Sequence, residues 1–463
     1  MSDPSTQRAV LIVSAISSFL VPFMGSSTNI ALPTIGSEFR MDAVLLGWVP
    51  TSYLLVSAMF LLPMGRIADI YGRKKIFFFG TIVYTVGSLV SALSISGSML
   101  IACRIIQGIG SAMTFSTSMA ILTSVYPREQ RGKAIGIVTA SVYTGLSLGP
   151  FLGGFLTQHL GWRSIFYLNI PLCLFVVILV LRRLQGEWAE AKGETLDLAG
   201  SILYALMLLL IMLGLSRLPA SSGGGLLAAG AIGVWAFFYR EARTKSPVLD
   251  IRIFRSNPAF TFSGLAALIH YCSTYAVTFL MSLYLQYIQG FSAQVAGMIL
   301  ISQPIMMALF SPIAGRLSDR IEPRVIASLG MAVTCVAIYL LSSIGENTGL
   351  PFIVGSLVAL GVGFALFSSP NANAIMSSVQ PRFLGVASGT MGTMRLLGQM
   401  LSMGLAMMIF SLIIGEVKIT PDTYPLFLRS AKITLALSAT LCLVGIFFSL
   451  VRGRVRPENT GSK

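Results

Sequence analysis

The chain has 463 residues, of which 55% are hydrophobic and 11% are charged, and its mean hydropathy is +0.81. Soluble proteins carry about 25% charged residues, so this composition excludes a soluble globular protein and indicates a polytopic membrane protein. The net charge of +15 is distributed in short clusters between apolar runs. Because these clusters form no single basic face, we expect a lipid bilayer as the partner and no nucleic acid.

The sequence has few of the residue types and motifs that bind metals or nucleotides. The five cysteines lie singly in five apolar runs, and the only histidines are His159 and His270. No Cys pair or Cys/His cluster has metal-ligand spacing, so we predict neither a metal nor another cofactor. The sequence has no G-x-x-x-x-G-K-S/T phosphate loop, which argues against ATP as the energy source. An intramembrane enzyme would need acids or clustered histidines, so we predict that the chain is not an enzyme.

Fourteen apolar runs are candidates for membrane-spanning helices. A run of about 17 to 25 residues is long enough to cross a bilayer as a helix. The eighth run, residues 225–239, is shorter than this. We therefore predict an all-α polytopic membrane protein with 14 transmembrane helices. The runs begin near residues 9, 44, 76, 98, 134, 164, 197, 225, 259, 294, 325, 350, 385 and 430.

The basic residues are distributed unequally between the two sets of loops. Of the 32 Lys and Arg residues, 24 lie in the two termini and in the loops on their side, and 5 lie in the opposite loops. The remaining three, Arg104, Arg395 and Lys432, lie within helices. Because positive residues favour the cytoplasmic side, both termini are predicted to be cytoplasmic.

Two short segments recur eight helices apart. The G-R-x-x-D segment at 65–69 recurs at 315–319, and the Pro-Arg pair at 127–128 recurs at 381–382. Repeated halves are typical of secondary transporters, whose substrate sites lie between the halves near the bilayer midplane. The predicted organisation is a cytoplasmic N-terminus at 1–8, a six-helix bundle at 9–184, a linker with two inserted helices at 185–258, a second six-helix bundle at 259–451 and a cytoplasmic tail at 452–463.

The fifth run contains a glycine-rich stretch, GIVTASVYTGLSLGPFLGG at 136–154. Three of its glycines recur every four residues and form a strip that another helix backbone can approach closely. The proline beside this strip removes a helix hydrogen bond and favours a bend. The predicted hinge and packing residues are Gly136, Gly145, Gly149, Pro150, Gly153 and Gly154.

Several parts of the sequence resemble the major facilitator superfamily. Residues 65–75, GRIADIYGRKK, resemble its signature loop between helices two and three. Residues 136–154 resemble the motif associated with its antiporters, and residues 100–110 resemble its helix-four motif. A resemblance to its fourteen-helix drug:proton antiporter branch is carried by residues 162–163, 169–171 and 247–254.

This resemblance implies two bundles that rock around a central cavity and open it alternately to each side of the membrane. It also implies a latch at the signature loop, where Asp69 pairs with a helix of the other bundle in one conformation. A loop that only sets topology, through its attraction to anionic headgroups, is the alternative. The implied latch residues are Gly65, Asp69, Gly72, Arg73, Gly315 and Asp319.

The sequence departs from the branch at one position. In that branch, the first helix usually has an acidic residue shortly before an Asn-x-Ala-Leu-Pro segment. Here residues 23–33 read FMGSSTNIALP, in which Asn29 is present and the acid is missing. All 17 Asp and Glu residues are predicted to lie in loops or at helix ends. The proton coupling that the resemblance implies therefore lacks its usual carrier.

Three ionisable side chains are predicted inside the membrane, where their cost makes each a functional candidate. At about 1.5 Å per residue, Arg104 lies about 10 Å into helix four, Arg395 about 15 Å into helix thirteen and His270 about 16 Å into helix nine. Arg104 either relays protons or charges the cavity, or it hydrogen-bonds Gln107 to position its helix. His270 either couples protons or bonds across helices. Arg395 either attracts an anionic substrate group or binds backbone carbonyls.

Two central cations without a central acid favour neutral or anionic amphiphilic substrates. We predict a secondary active transporter that exports small amphiphilic compounds or drugs by alternating access and proton antiport, as a monomer in the plasma membrane. The alternatives are export of anionic or neutral metabolites without proton coupling, facilitated diffusion and a channel. The candidate residues for coupling or for the substrate cavity are Asn29, Arg104, Gln107, His270, Asn371 and Arg395.

Overall fold

The computed structural model describes residues 4–244, 246–249, 251–380 and 384–453. Within these residues, 14 helices are long and apolar enough to cross a membrane. The predicted number of spans and the all-α membrane fold are therefore confirmed. The second Pro-Arg pair, Pro381–Arg382, lies outside the described residues, as does most of the predicted tail.

The membrane helices are numbered α1 to α14. In the first half they are α1 Pro4–Phe39, α2 Ala43–Tyr71, α3 Arg73–Ala92, α4 Gly97–Val125, α5 Arg128–Leu160, α6 Arg163–Arg183, α7 Leu198–Arg217 and α8 Ser221–Glu241. In the second half they are α9 Pro258–Ile288, α10 Ala293–Ser318, α11 Pro323–Leu341, α12 Leu350–Ser377, α13 Leu384–Ile413 and α14 Pro421–Val451. A short helix, Ile251–Ser256, precedes α9.

Several helices are longer than their apolar runs predict. The eighth run, predicted at 225–239, is extended at both ends, and α14 begins at Pro421 although its run begins near residue 430. In α14, Arg429 and Lys432 interrupt the hydropathy of the sequence but not the helix. Polar residues in the first turns of a membrane helix can reach the interface, so hydropathy alone places the start too late.

Local side-chain chemistry explains where several helices begin. Asp42 accepts a hydrogen bond of 2.8 Å from the Leu45 backbone N–H at the start of α2, and Ser96 accepts one of 3.2 Å from Met99 at the start of α4. These side chains satisfy N–H groups that the first helical turn leaves unpaired. Between α2 and α3, Gly72 has a φ of 120°, a conformation that glycine adopts without steric cost.

The helices form two bundles related by the predicted repeat. In the first bundle α1 packs on α5 and α3 packs on α4; in the second, the equivalent helices α9 and α13, and α11 and α12, pack in the same pairs. Helices α7 and α8 pack on each other, and α7 contacts α2 and α13. The structure therefore has the expected organisation of two six-helix bundles with two inserted helices.

An even number of spans brings both chain ends to one end of the molecule, here named the terminal end. The opposite end, named the far end, includes the loops at 40–42, 161–162, 289–292 and 414–420. Most of the candidate site residues lie between these two ends.

Candidate transport site

The glycine strip of α5 faces α1 within the first bundle. A Cβ added at Gly145 would lie 2.4 Å from the Phe19 carbonyl oxygen, and one at Gly153 would lie 2.7 Å from the Ser27 Cα. Between them, the Gly149 carbonyl accepts a hydrogen bond of 2.9 Å from Ser27 Oγ. Side chains at these positions would separate the two helices, so the strip sets the close packing of α5 on α1.

A second side of α5 contacts α10 of the other bundle. A Cβ added at Gly154 would lie 2.4 Å from the Ala293 carbonyl oxygen, and one added at Gly297 would lie 2.2 Å from the Pro150 carbonyl oxygen. Each helix thus has a glycine at the point where the backbone of the other helix approaches it. The two bundles meet here at backbone distance.

Further contacts between the bundles also lie toward the far end. Ser282 Oγ donates a hydrogen bond of 2.7 Å to the Asn29 carbonyl, and Gln286 Nε2 donates one of 2.9 Å to the Ile30 carbonyl. Candidate residue Asn29 thus contributes its backbone to the junction of α1 and α9. Two more hydrogen bonds in this region join His159 to Gln294 and Ala43 to Val417.

Toward the terminal end, α5 and α10 diverge. A Cβ added at Gly136 of α5 or at Gly315 of α10 would have no described neighbour within 4 Å. On the same stretches, Ile137 is 40% exposed and Ile313 is 55% exposed. Along α5 and α10, the two bundles are therefore packed toward the far end and apart toward the terminal end.

Arg104 is fully buried inside the first bundle. Its Nε donates a hydrogen bond of 3.3 Å to the Val49 carbonyl, and its Nη1 donates to Gln107 Oε1. Its guanidinium carbon lies 4.3 Å from the centroid of the Tyr53 ring. Gln107 in turn donates a hydrogen bond of 2.8 Å to Ser88 Oγ. Arg104 and Gln107 therefore link α4 to α2 and α3, which is a structural role within the first bundle.

Arg395 of α13 lies between the two bundles. Its guanidinium carbon is 4.8 Å from the centroid of the Phe115 ring of α4, which is a cation–π contact across the bundle interface. A Cβ added at Gly392, one turn earlier, would lie 3.0 Å from a Phe115 ring carbon, so glycine leaves room for the ring. Arg395 is only half-buried, and its buried Nε has no hydrogen-bond partner among the described residues. This side chain retains both charge and hydrogen-bonding capacity for a ligand.

His270 lies in an aromatic cluster inside the second bundle. The imidazole stacks on Phe367 with a centroid distance of 4.1 Å and lies 5.0 Å from Phe364. It has no exposed surface, and neither ring nitrogen has a hydrogen-bond partner among the described residues. In this conformation the side chain has no contact with the space between the bundles.

Asn371 belongs to a buried cluster near the terminal end of the second bundle. Its Oδ1 accepts a hydrogen bond of 2.8 Å from Arg452 Nη1, and its Nδ2 donates one of 3.1 Å to the Ser263 carbonyl. Burial lowers the pKa of the Arg452 guanidinium to about 10. Arg452 belongs to the predicted tail, because an arginine that directly follows an apolar run ordinarily lies at the interface. The polar Asn371 in α12 was the only signal of a buried partner.

The acids that the structure describes lie in loops or near helix ends. Glu38, in the last turn of α1, accepts a hydrogen bond of 2.7 Å from Trp162 Nε1 and pairs with Arg163. Asp197 caps α7 and pairs with Arg240 at 2.6 Å. Burial disfavours the charged form of Asp197, but the hydrogen bonds from Arg240 and from the Gly200 N–H, together with the charge of Arg240, outweigh burial and lower the pKa of the carboxyl. Neither acid is near mid-helix.

The signature loop forms an ion network at the terminal end. Arg73 Nε donates a hydrogen bond of 2.8 Å to Asp69 Oδ1, and its two terminal nitrogens donate to the two Glu190 oxygens at 2.7 Å and 3.0 Å. The hydrogen bond from Arg73 lowers the pKa of Glu190. The first motif glycine, Gly65, packs beside Ser116. The predicted pairing of Asp69 with the other bundle stays a prediction, because the bundles are apart at this end.

The chain matches the Major Facilitator Superfamily over residues 14–403 and 263–463. This chain belongs to the major facilitator superfamily. It is 31% identical over 389 residues to the riboflavin transporter RibZ of Clostridioides difficile, covering 83% of this chain and 84% of the relative. It is also 32% identical over 407 residues to the cephamycin export protein CmcT of Amycolatopsis lactamdurans, covering 86% and 84%.

One further relative is named for drug resistance, and two solved transporters share the fold. The multidrug resistance protein Stp of Mycobacterium tuberculosis is 29% identical over 399 residues, with 85% of this chain and 74% of the relative covered. A bacterial homologue of the human lysosomal transporter Spinster, solved in an inward-facing and unoccupied conformation, superposes with a TM-score of 0.70 at 18% identity, covering 98% of each chain. The human organic anion transporter MFSD10 superposes with a TM-score of 0.61 at 15% identity, covering 97% of this chain and 100% of that one.

Proposed function

We propose that this protein is a secondary active transporter of the plasma membrane that exports small amphiphilic compounds by alternating access. It acts as a monomer with both termini in the cytoplasm, so the open terminal end receives substrate from that side. The observation that carries the proposal is the contact of Arg395 with Phe115 across the two bundles, because a ligand there touches both moving parts. Relatives named for cephamycin export and multidrug resistance support the direction of transport.

The chemistry around Arg395 favours neutral or anionic aromatic compounds. A guanidinium offers a fixed positive charge and several N–H donors, and the Phe115 ring offers an apolar face. Tyr271 and Tyr275, in the middle of α9, are also partly exposed. The acids that the structure describes lie away from this depth, so a cationic substrate would find no carboxylate partner there.

Proton antiport is the coupling mode that we propose first. The resemblance of the α5 glycine run to the antiporter motif supports it, whereas the close packing of this run on both α1 and α10 suits a moving helix and carries no proton. A second candidate is export of anionic or neutral metabolites without proton coupling. Two observations favour this second candidate: α1 lacks an acid before Asn29, and His270 is sealed among aromatic rings.

Flux in proteoliposomes, measured with and without an imposed pH gradient, tests the proposal. Saturable flux that shows counter-transport and increases with the gradient is the expected result. Saturable flux that does not depend on the gradient would instead support uncoupled export. Currents far above carrier rates would contradict a transporter of either kind and indicate a channel.

A further inference from the structure

A ten-residue segment after α6, here named the strap, covers the signature loop. The strap comprises residues 185–194, QGEWAEAKGE. Its backbone is tied to the loop in two places: Arg73 N–H donates a hydrogen bond of 2.8 Å to the Trp188 carbonyl, and Ala191 N–H donates one of 2.9 Å to the Asp69 carbonyl. Trp188 also packs against the apolar core of the first bundle. The strap is therefore a docked part of the first bundle.

The strap glutamates pair with the cations of the loop. Glu190 binds the two terminal nitrogens of Arg73 in a bidentate arrangement, and Arg73 is only 8% exposed. Glu194 forms an ion pair with Arg66, the second residue of the signature loop. Planar bidentate pairs between arginine and carboxylate are among the stronger charged contacts in proteins. Both of these arginines of the signature loop are thus held by the strap.

A third glutamate explains the glycine in the middle of the loop. Glu187 Oε1 accepts a hydrogen bond of 2.8 Å from the Lys74 backbone N–H. A Cβ added at Gly72 would lie 2.4 Å from the Glu187 carboxyl carbon. Glycine at this position therefore serves the tight turn and also leaves room for the strap.

The second copy of the motif has different surroundings in the described part of the chain. Asp319 is exposed and accepts a hydrogen bond of 3.4 Å from Asn373 Nδ2. A Cβ added at Gly315 would have no described neighbour within 4 Å. The two halves share the motif, but three glutamates hold only the first copy.

We propose that the strap glutamates are positioning residues for transport, which hold Arg66 and Arg73 while the bundles are apart at the terminal end. Closure at this end brings the loop toward the other bundle, and in the proposed closed state the two arginines exchange or share their partners. The strap therefore opposes closure at the terminal end. This inference rests on the alternating access of the proposed function, but not on the identity of its substrate.

Distances between spin labels in the full-length protein, reconstituted in lipid nanodiscs, test this role. Lys133→Cys in α5 and Arg320→Cys after α10 place two exposed labels at the terminal end, whereas the five native cysteines are buried. This pair is measured with an intact strap, with Glu190→Gln and with Glu194→Gln. The control is Lys192→Gln, which alters an exposed charge of the same strap.

Each glutamate variant is expected to raise the ratio of short to long label distances about twofold to fivefold, the range for loss of a partly exposed ion pair. The charge swap of Arg66→Glu with Glu194→Arg should return the ratio to that of the intact strap, because it restores the ion pair with its charges reversed. Unchanged ratios in both glutamate variants, or an equal shift in Lys192→Gln, would overturn the proposal. The measurement needs no substrate, so a failure of transport in flux assays would contradict the proposed function and leave this test unaffected.

Discussion

Gly297 of α10 and Pro150 of α5 touch through their backbones across the two bundles. A Cβ on Gly297 would lie 2.2 Å from the Pro150 carbonyl oxygen. Proline lacks the N–H that would complete the helix ladder, so α5 is most easily bent at the residue that the other bundle contacts. The contact that closes the far end and the point where α5 bends most easily therefore coincide.

Gly297→Ala is expected to prevent this approach and to reduce transport about tenfold, because a displacement of about 1 Å in a packed interface is costly. Labels at Leu160→Cys and Val295→Cys, which are exposed at the far end, should report a longer distance. Gly355→Ala in α12 is the matched control, since its added Cβ has no described neighbour within 4 Å. Equal transport and equal distances in the two variants would rule out this contact as a determinant of closure.

Arg104→Ala is expected to destabilise the first bundle. The change leaves the Val49 carbonyl and Gln107 without their donor and opens a cavity, which together cost about 3 to 5 kcal/mol. Thermal unfolding in detergent measures this loss, and Arg104→Lys should be intermediate because it keeps the charge without the planar set of donors. A normal unfolding temperature combined with loss of the response to a pH gradient would show instead that Arg104 serves proton coupling.

His270→Phe is expected to retain transport and its response to a pH gradient. The imidazole stacks on Phe367 at 4.1 Å and its nitrogens have no described partner, so another aromatic ring can occupy the site. His270→Ala leaves a cavity and should lower stability by about 2 to 4 kcal/mol. Loss of the gradient response in His270→Phe, with stability preserved, would assign proton coupling to this residue.

The pairing of Glu190 with Arg73 should be independent of pH near neutrality. Glu190 faces Arg73, Ser124 and Arg131, and the hydrogen bond from Arg73 lowers its pKa below the ordinary value of 4.5. A lowered carboxyl pKa gives a stabilisation that is fully present above the ordinary value and is lost only as the pH falls through the lowered one. The label distances at the terminal end should therefore stay constant from about pH 6 to 8 in the absence of substrate. A change in this interval that disappears in Glu190→Gln would contradict this account of the pair.

The sequence predicted the elements that hydropathy and repetition control. Long apolar runs and the repeated G-R-x-x-D segment were enough for the 14 spans and the two bundles. The partners of individual side chains were harder to predict, because sequence spacing does not give the direction of a side chain. His270 and Arg395 lie at similar predicted depths, yet one is enclosed by aromatic rings and the other faces the opposite bundle. The charge of Glu190 was visible in the sequence, but its partner lies 117 residues away.

The central claim is that Arg395 recognises substrate at a site without a described acid. Its most direct test is the flux of matched anionic and cationic xanthene dyes through proteoliposomes that contain the wild-type protein or Arg395→Gln. We predict that the wild-type protein prefers the anionic dye. Arg395→Gln should reduce the flux of the anionic dye about tenfold, since one lost charged contact costs about 1.4 kcal/mol. The flux of a neutral analogue should change little. A strong preference for the cationic dye, or equal loss of all three fluxes in a folded Arg395→Gln protein, would contradict the claim.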